Sequence, residues 1–142
     1  IIRGEEVLTF EVDREKVIVN PVEGKVISDN IGYIPITSFD EETAKQFKET
    51  YEQLQEQGIK GLIIDLRNNG GGIVSEALKI ADNIADKGSV LLYEVDKYKK
   101  EKVSKSEEEP IVKVPVIVLV NKNTASSSEI LSGALQDLGK RV

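Results

Sequence analysis

The chain contains no cysteine, no histidine, no methionine and no tryptophan. Without cysteine there is no disulfide and no thiol nucleophile, and without cysteine or histidine the usual zinc sites are gone. No metal and no cofactor is expected. A serine–histidine–aspartate triad cannot be built from this sequence, so a nucleophilic serine would need a different base. Aromatic residues make up 5%, four tyrosines and three phenylalanines, so the core must be mainly aliphatic. No apolar run reaches transmembrane length, and no stretch reads as a signal peptide. Basic charge is scarce. Lys and Arg number 19 against 25 Asp and Glu, giving a net charge of −6. That balance argues against a nucleic-acid partner, which needs a basic face.

What is present is the composition of one globular domain: 142 residues, 39% hydrophobic and 31% charged. A chain of this length can bury a core without staples. The opening Ile1–Glu5 reads like mid-domain sequence and the closing Gly139–Val142 stops as a new strand would begin, so a piece of a longer protein is expected.

Hydrophobic patterning gives the element order. Val7–Val12 alternates as a strand, and Val17–Val19 is a short second one closed by Asn20-Pro21. Residues 30–37 read as a strand whose Pro35 belongs at an edge or an end. Asp40 is a candidate N-cap for a helix to about Gln57, ended by Gly58, with Ala44, Phe47, Tyr51 and Leu54 on one face. Gly61–Leu66 is a continuous apolar strand. A helix over 73–87 follows, with Val74, Ala77, Leu78, Ala81, Ile84 and Ala85 as its stripe and Gly88 as its C-cap. Val90–Val95 is a strand, and the charge-dense stretch 97–110 is a solvated hairpin or loop. The run 114–120 is another apolar strand. It leads to a helix over 127–138 with Ile130, Leu131, Ala134, Leu135 and Leu138 inside. Strands alternating with helices predict an α/β fold, a mostly parallel β-sheet with packed helices. The apolar runs 62–66 and 114–120 suit central strands covered on both faces.

Two strand-to-helix junctions carry the chemistry. The first is Asn68-Asn69-Gly70-Gly71-Gly72. Its free N–H groups at a helix start can hold an anion or a developing oxyanion, or its glycines can simply make a tight turn. No Gly-Lys-Ser/Thr follows, so a phosphate loop fits poorly. The second is Ser126-Ser127-Ser128-Glu129. It fits a capping box with Ser126 as N-cap and Glu129 at N3. It equally fits a nucleophile at a helix N-terminus, where the next N–H faces a developing oxyanion.

Taken together, the junctions resemble a known family, the carboxy-terminal processing (tail-specific) serine proteases, S41-type, of the ClpP/crotonase-like superfold. The carrying segments are Ile64-Asp65-Leu66-Arg67-Asn68-Asn69-Gly70-Gly71-Gly72, then Val120-Asn121-Lys122-Asn123-Thr124-Ala125-Ser126-Ser127-Ser128-Glu129-Ile130, then Gly133-Ala134-Leu135-Gln136-Asp137-Leu138-Gly139-Lys140. Gly32-Tyr33-Ile34 and Ser38-Phe39 match as well. The resemblance implies Ser126 as the nucleophile and the backbone N–H groups of Gly72 and Ser127 as the oxyanion hole. It implies a Ser-Lys dyad whose lysine lies about twenty-five residues beyond the serine, past Val142, and a fragment that is inactive without it. Such a lysine must be desolvated to serve as a neutral base; Lys79, Lys122 and Lys140 fit that role poorly.

Residues 1–20 resemble the closing strand and linker of a PDZ domain, and 21–142 a protease core lacking its C-terminal part. The resemblance further implies protein or peptide substrates with accessible C-termini, and an extracytoplasmic setting. An open sheet edge after residue 142 predicts self-association into a homo-oligomer. The competing function is a non-catalytic module binding a protein or a lipophile on the same fold, with Ser126 as a helix cap. An acyl-CoA enzyme of the crotonase type shares the backbone oxyanion hole but suits the serine cluster and Asp65–Asn68 less well.

Overall fold

The computed structural model describes residues 1–13 and 20–142. Its element order is β1 (Ile2–Arg3), β2 (Glu6–Val7), β3 (Lys25–Ile27), β4 (Ile31–Pro35), α1 (Thr43–Glu56), β5 (Gly61–Asp65), α2 (Val74–Asp82), β6 (Val90–Val95), β7 (Glu101–Lys105), β8 (Val116–Leu119) and α3 (Ser127–Asp137). The main sheet runs β3-β4-β5-β8. β3 is antiparallel to β4, and β4, β5 and β8 are parallel. The mostly parallel α/β architecture read from the sequence is therefore present.

The register explains the core. Gly32 and Ile34, Leu62 and Ile64, and Val116 and Val118 are paired neighbours sharing one face. All six are buried. Against them pack Phe47, Tyr51 and Leu54 of α1, Ala77, Ile80 and Ala81 of α2, and Leu131 and Leu135 of α3. A fully buried Leu, Ile, Val or Phe side chain contributes about 1.5–3 kcal/mol, so this helix-covered face dominates the stability. The opposite face is barer. Tyr33 and Ile63 are half-buried and Ile117 is 42% exposed. The expectation that 114–120 is covered on both faces is thus corrected: β8 buries alternate residues only. Beyond β8, Arg141 bridges Ile117 in parallel, with Val118 N–H on the Arg141 carbonyl at 2.8 Å.

Several element ends differ from the sequence reading. Glu6–Val7 pairs only with Ile2–Arg3, and Phe10 and Val12 are exposed, so Val7–Val12 is not one strand. The expected strand at Val17–Val19 lies outside the described residues. Asp40 does not cap α1. Its carboxylate accepts from Ser38 Oγ, while Thr43 Oγ1 accepts from Asp40 N–H. The buried carboxylate of Glu76 on α2 takes the orphan Ala44 N–H at 3.0 Å instead, a partner 32 residues away. α2 stops at Asp82, short of Lys87, and Gly88 is not its C-cap. There the chain commits its polar groups elsewhere. Asp82 Oδ1 accepts Ser106 Oγ and Glu107 N–H, and the Asn83 carbonyl accepts both Ile111 and Val112 N–H. The charged stretch folds as a β6–β7 hairpin whose Tyr93, Val95 and Tyr98 are exposed.

Candidate active site

β5 and β8 are parallel neighbours, so the loops that follow them leave the same edge of the sheet. Carboxyl ends of parallel strands are where α/β folds place their chemistry. The last ladder bond joins Leu66 N–H to the Leu119 carbonyl at 2.8 Å. Beyond it, residues 67–73 and 120–127 lie side by side.

The glycine loop is held by Asn69, which is fully buried. Its Nδ2 donates to the Ile36 carbonyl at 2.8 Å, and its Oδ1 accepts Gly71 N–H at 2.8 Å. Gly71 and Gly72 sit at φ 102° and φ 146°, values that favour glycine. A Cβ on Gly71 would lie 2.7 Å from Ser126 Cβ, so this loop abuts that serine directly. Gly72 bridges Phe39: Phe39 N–H bonds the Gly71 carbonyl and Ile73 N–H bonds the Phe39 carbonyl. That pairing turns the Gly72 N–H away from Phe39. Among the described residues neither Gly72 N–H nor Ser127 N–H has an acceptor.

The three adjacent serines divide cleanly. Ser127 and Ser128 are fully buried. Ser127 Oγ donates to the Gly72 carbonyl at 2.7 Å, and Ser128 Oγ donates to the Asn69 carbonyl at 3.1 Å. Both tie the helix start to the glycine loop. Ser126 alone is exposed. Its backbone is at φ 57°, ψ −122°. An ordinary N-cap serine sits in the β region. A non-glycine residue in this sparsely populated conformation costs of order 1–3 kcal/mol, and such strain clusters at active sites. A strained strand-to-helix elbow of this kind holds a hydroxyl out from the backbone. Glu129 Oε2 accepts the Ser126 N–H at 2.7 Å, the carboxylate half of a capping box, and so helps to hold the elbow.

A second polar group at this edge was not singled out from the sequence. The Asp65 carboxylate accepts Arg67 Nε at 2.9 Å, Arg67 Nη2 at 2.6 Å, Arg67 N–H at 3.0 Å and Tyr33 OH at 2.6 Å. The Arg67 guanidinium, and after it the Tyr33 hydroxyl, hold the Asp65 carboxyl down at about 2 despite its burial. The same contact raises Arg67, and Asp65 raises Tyr33 above its ordinary value. The Asp-x-Arg spacing was the available signal. No cluster of three or more His, Cys, Asp or Glu able to hold a metal exists among the described residues.

The sequence model of Peptidase family S41 matches residues 30–142. The chain belongs to peptidase family S41. Among S41 relatives, it is 37% identical over 130 residues to the carboxy-terminal processing protease CtpA of Bacillus subtilis (strain 168), covering 92% of this chain and 28% of that protein. It is 31% identical over 142 residues to the C-terminal processing peptidase, chloroplastic, of Tetradesmus obliquus, covering 91% of this chain and 31% of the relative. A solved photosystem II D1 C-terminal processing protease superposes with a TM-score of 0.78 at 31% identity, covering 89% of this chain and 36% of the other. The S41 chain thus spans about a third of the length of the relatives it matches. The S41 protease fold and the membership read from the two junctions are both present.

Proposed function

We propose that this chain carries the nucleophile and oxyanion hole of a serine endopeptidase that processes protein substrates near their C-termini. The observation that carries the reading is the backbone of Ser126: an exposed serine in a strained conformation, beside two main-chain N–H groups without acceptors. Ser126 Oγ attacks the scissile carbonyl. The N–H groups of Gly72 and Ser127 receive the negative charge that develops on its oxygen, where fixed dipoles stabilise the transition state most. The general base is a neutral lysine about twenty-five residues past Ser126, a Ser-Lys dyad. The lysines of this chain suit the role poorly. Lys79 is exposed and ion-paired to Glu76 at 2.6 Å. Lys122 is exposed, and Lys140 lies beyond the far end of α3, about 16 Å of helix away. On this reading residues 1–142 alone do not turn over. Residues 1–20 are the end of a PDZ unit, and the enzyme works outside the cytoplasm, as the chloroplastic relative suggests.

The test is casein hydrolysis by the gene product extended past Val142, with Ser126→Ala and with that downstream lysine changed to alanine. Loss of activity in both, with the fold retained, supports the dyad. Undiminished hydrolysis without Ser126 would favour a binding module with an unrelated activity.

A further inference from the structure

The glycine loop and the serine loop are joined at their rim by three asparagines that the mechanism above does not use. Asn121 is the centre. Its Oδ1 accepts Asn68 N–H at 3.0 Å and Asn123 N–H at 3.0 Å. Its Nδ2 donates to Asn68 Oδ1 at 3.0 Å, and Asn123 Nδ2 donates to the same oxygen at 2.9 Å. Asn68 sits at φ 63°, a left-handed conformation that asparagine tolerates better than most residues. All three are exposed. Hydrogen bonds of this kind are weak in net terms, and exposure weakens these further. Their placement is more telling than their strength. They stand where the β5–β8 ladder has ended, four residues before Gly72 on one loop and three to five residues before Ser126 on the other. Asn69 and the Phe39 bridge hold the inner side of the glycine loop, and the asparagines tie its outer rim to the serine loop.

We propose that the Asn68–Asn121–Asn123 amide clamp is a positioning device that sets the spacing between the Gly72 N–H and the Ser126–Ser127 pair. The inference rests on the reading of Ser126, Gly72 and Ser127 given above. Three groups must converge on one carbonyl, and they come from two separate loops. Ser127, Ser128 and Ala125 tie the loops deeper in, and the clamp fixes their lateral distance at the rim, so the oxyanion site is formed before substrate arrives.

The donor pattern makes the idea testable. The Asn68 side chain only accepts in the clamp, so a carboxylate can replace it. The Asn121 side chain both accepts and donates. Aspartate there loses the donor and sets two acceptor oxygens against each other. Asn68→Asp and Asn121→Asp add the same charge at the same rim, so a charge effect alone would move both alike.

The first readout is ¹⁵N relaxation of the Gly70–Gly72 amides in the chain and its two variants. Order parameters near about 0.85 are expected for the native chain and Asn68→Asp, falling below about 0.6 in Asn121→Asp. The second is hydrolysis by the extended gene product. Asn121→Asp should lower kcat about 10–100-fold with KM held within about twofold, while Asn68→Asp stays within about threefold of native. Equal behaviour of the two variants, a rigid glycine loop in Asn121→Asp, or a loss confined to KM would overturn the proposal. Relaxation is read without turnover, so an activity indifferent to Ser126→Ala would count against the hydrolase reading alone.

Discussion

The two strand-to-helix junctions do the same topological job with opposite materials. The one after β5 is made of glycine, and the one after β8 of hydroxyl and amide side chains. Glycine lets Gly71 and Gly72 adopt φ values closed to other residues and lets the loop come against Ser126. It also leaves Gly70–Gly72 without side chains, so within its own loop the buried Asn69 has to anchor that stretch. The serine loop supplies the remaining anchors: Thr124 Oγ1 to the Leu66 carbonyl at 2.9 Å, Ala125 N–H and Ser128 Oγ to the Asn69 carbonyl, and Ser127 Oγ to the Gly72 carbonyl. One loop contributes freedom and the other order. A site made this way can present main-chain donors without acceptors and a strained, exposed serine without collapsing.

Changes that add bulk to the first loop should have the largest effect. A Cβ at Gly72 would stand 2.2 Å from the Phe39 carbonyl oxygen, at a φ of 146°. Gly72→Ala is expected to cost about 2–5 kcal/mol, from overpacking plus backbone strain, read as a lower midpoint in urea unfolding. Next come the anchors. Ser127→Ala strips the Gly72 carbonyl of its buried donor and should cost about 1–3 kcal/mol in the same assay. Ser126→Gly should do the reverse. It relieves the strained φ of 57° and is expected to raise stability by about 1 kcal/mol while removing the hydroxyl. A destabilised Ser126→Gly would mean that the elbow is not strained and that the contrast between the serines is misdrawn.

Acid stability separates the loops in another way, because Asp65 and Arg67 flank only the glycine side. The Asp65 pKa is lowered from 3.8 to about 2 in the fold. A depressed folded pKa means the stabilisation is complete above the unfolded value and is lost as pH falls through the folded one. The loss therefore falls between about pH 4 and pH 2. With Arg67 half exposed to solvent, it amounts to at most about 2 kcal/mol. Arg67→Ala should flatten that acid limb in urea titrations at several pH values. The smallest effect belongs to Glu129→Gln. It weakens a charge-assisted bond to Ser126 N–H and should cost about 0.5–1 kcal/mol by thermal unfolding.

Much of the fold was legible because apolar periodicity reports burial directly. Phe47, Tyr51 and Leu54 on α1 and Leu131 and Leu135 on α3 lie inside, as their spacing requires. Caps were less legible, because their partners come from across the molecule. Glu76 serves α1 from α2, which no local pattern around Asp40 could announce. The exposure of Ile117 was hidden for a related reason. An unbroken apolar run does not say which layers cover it. At the site, the spacing Ser-x-x-Glu is the same for a plain capping box and for a strained elbow, and only the Ser126 dihedral angles tell them apart. The roles of Ser127 and Ser128 depend on carbonyls more than fifty residues upstream, which register alone brings near. The asparagine clamp was visible as residues but not as a unit, since its members are 53 and 55 positions apart.

The most direct measurement is a comparison of Ser126→Ala, Ser127→Ala and Ser128→Ala in the extended gene product, assayed on casein with folding checked by circular dichroism. Activity is expected to vanish with Ser126→Ala in a folded protein, and to fall only partially, alongside stability, with the other two. Activity that survives Ser126→Ala, or that vanishes with Ser127→Ala or Ser128→Ala in an equally stable protein, would contradict it.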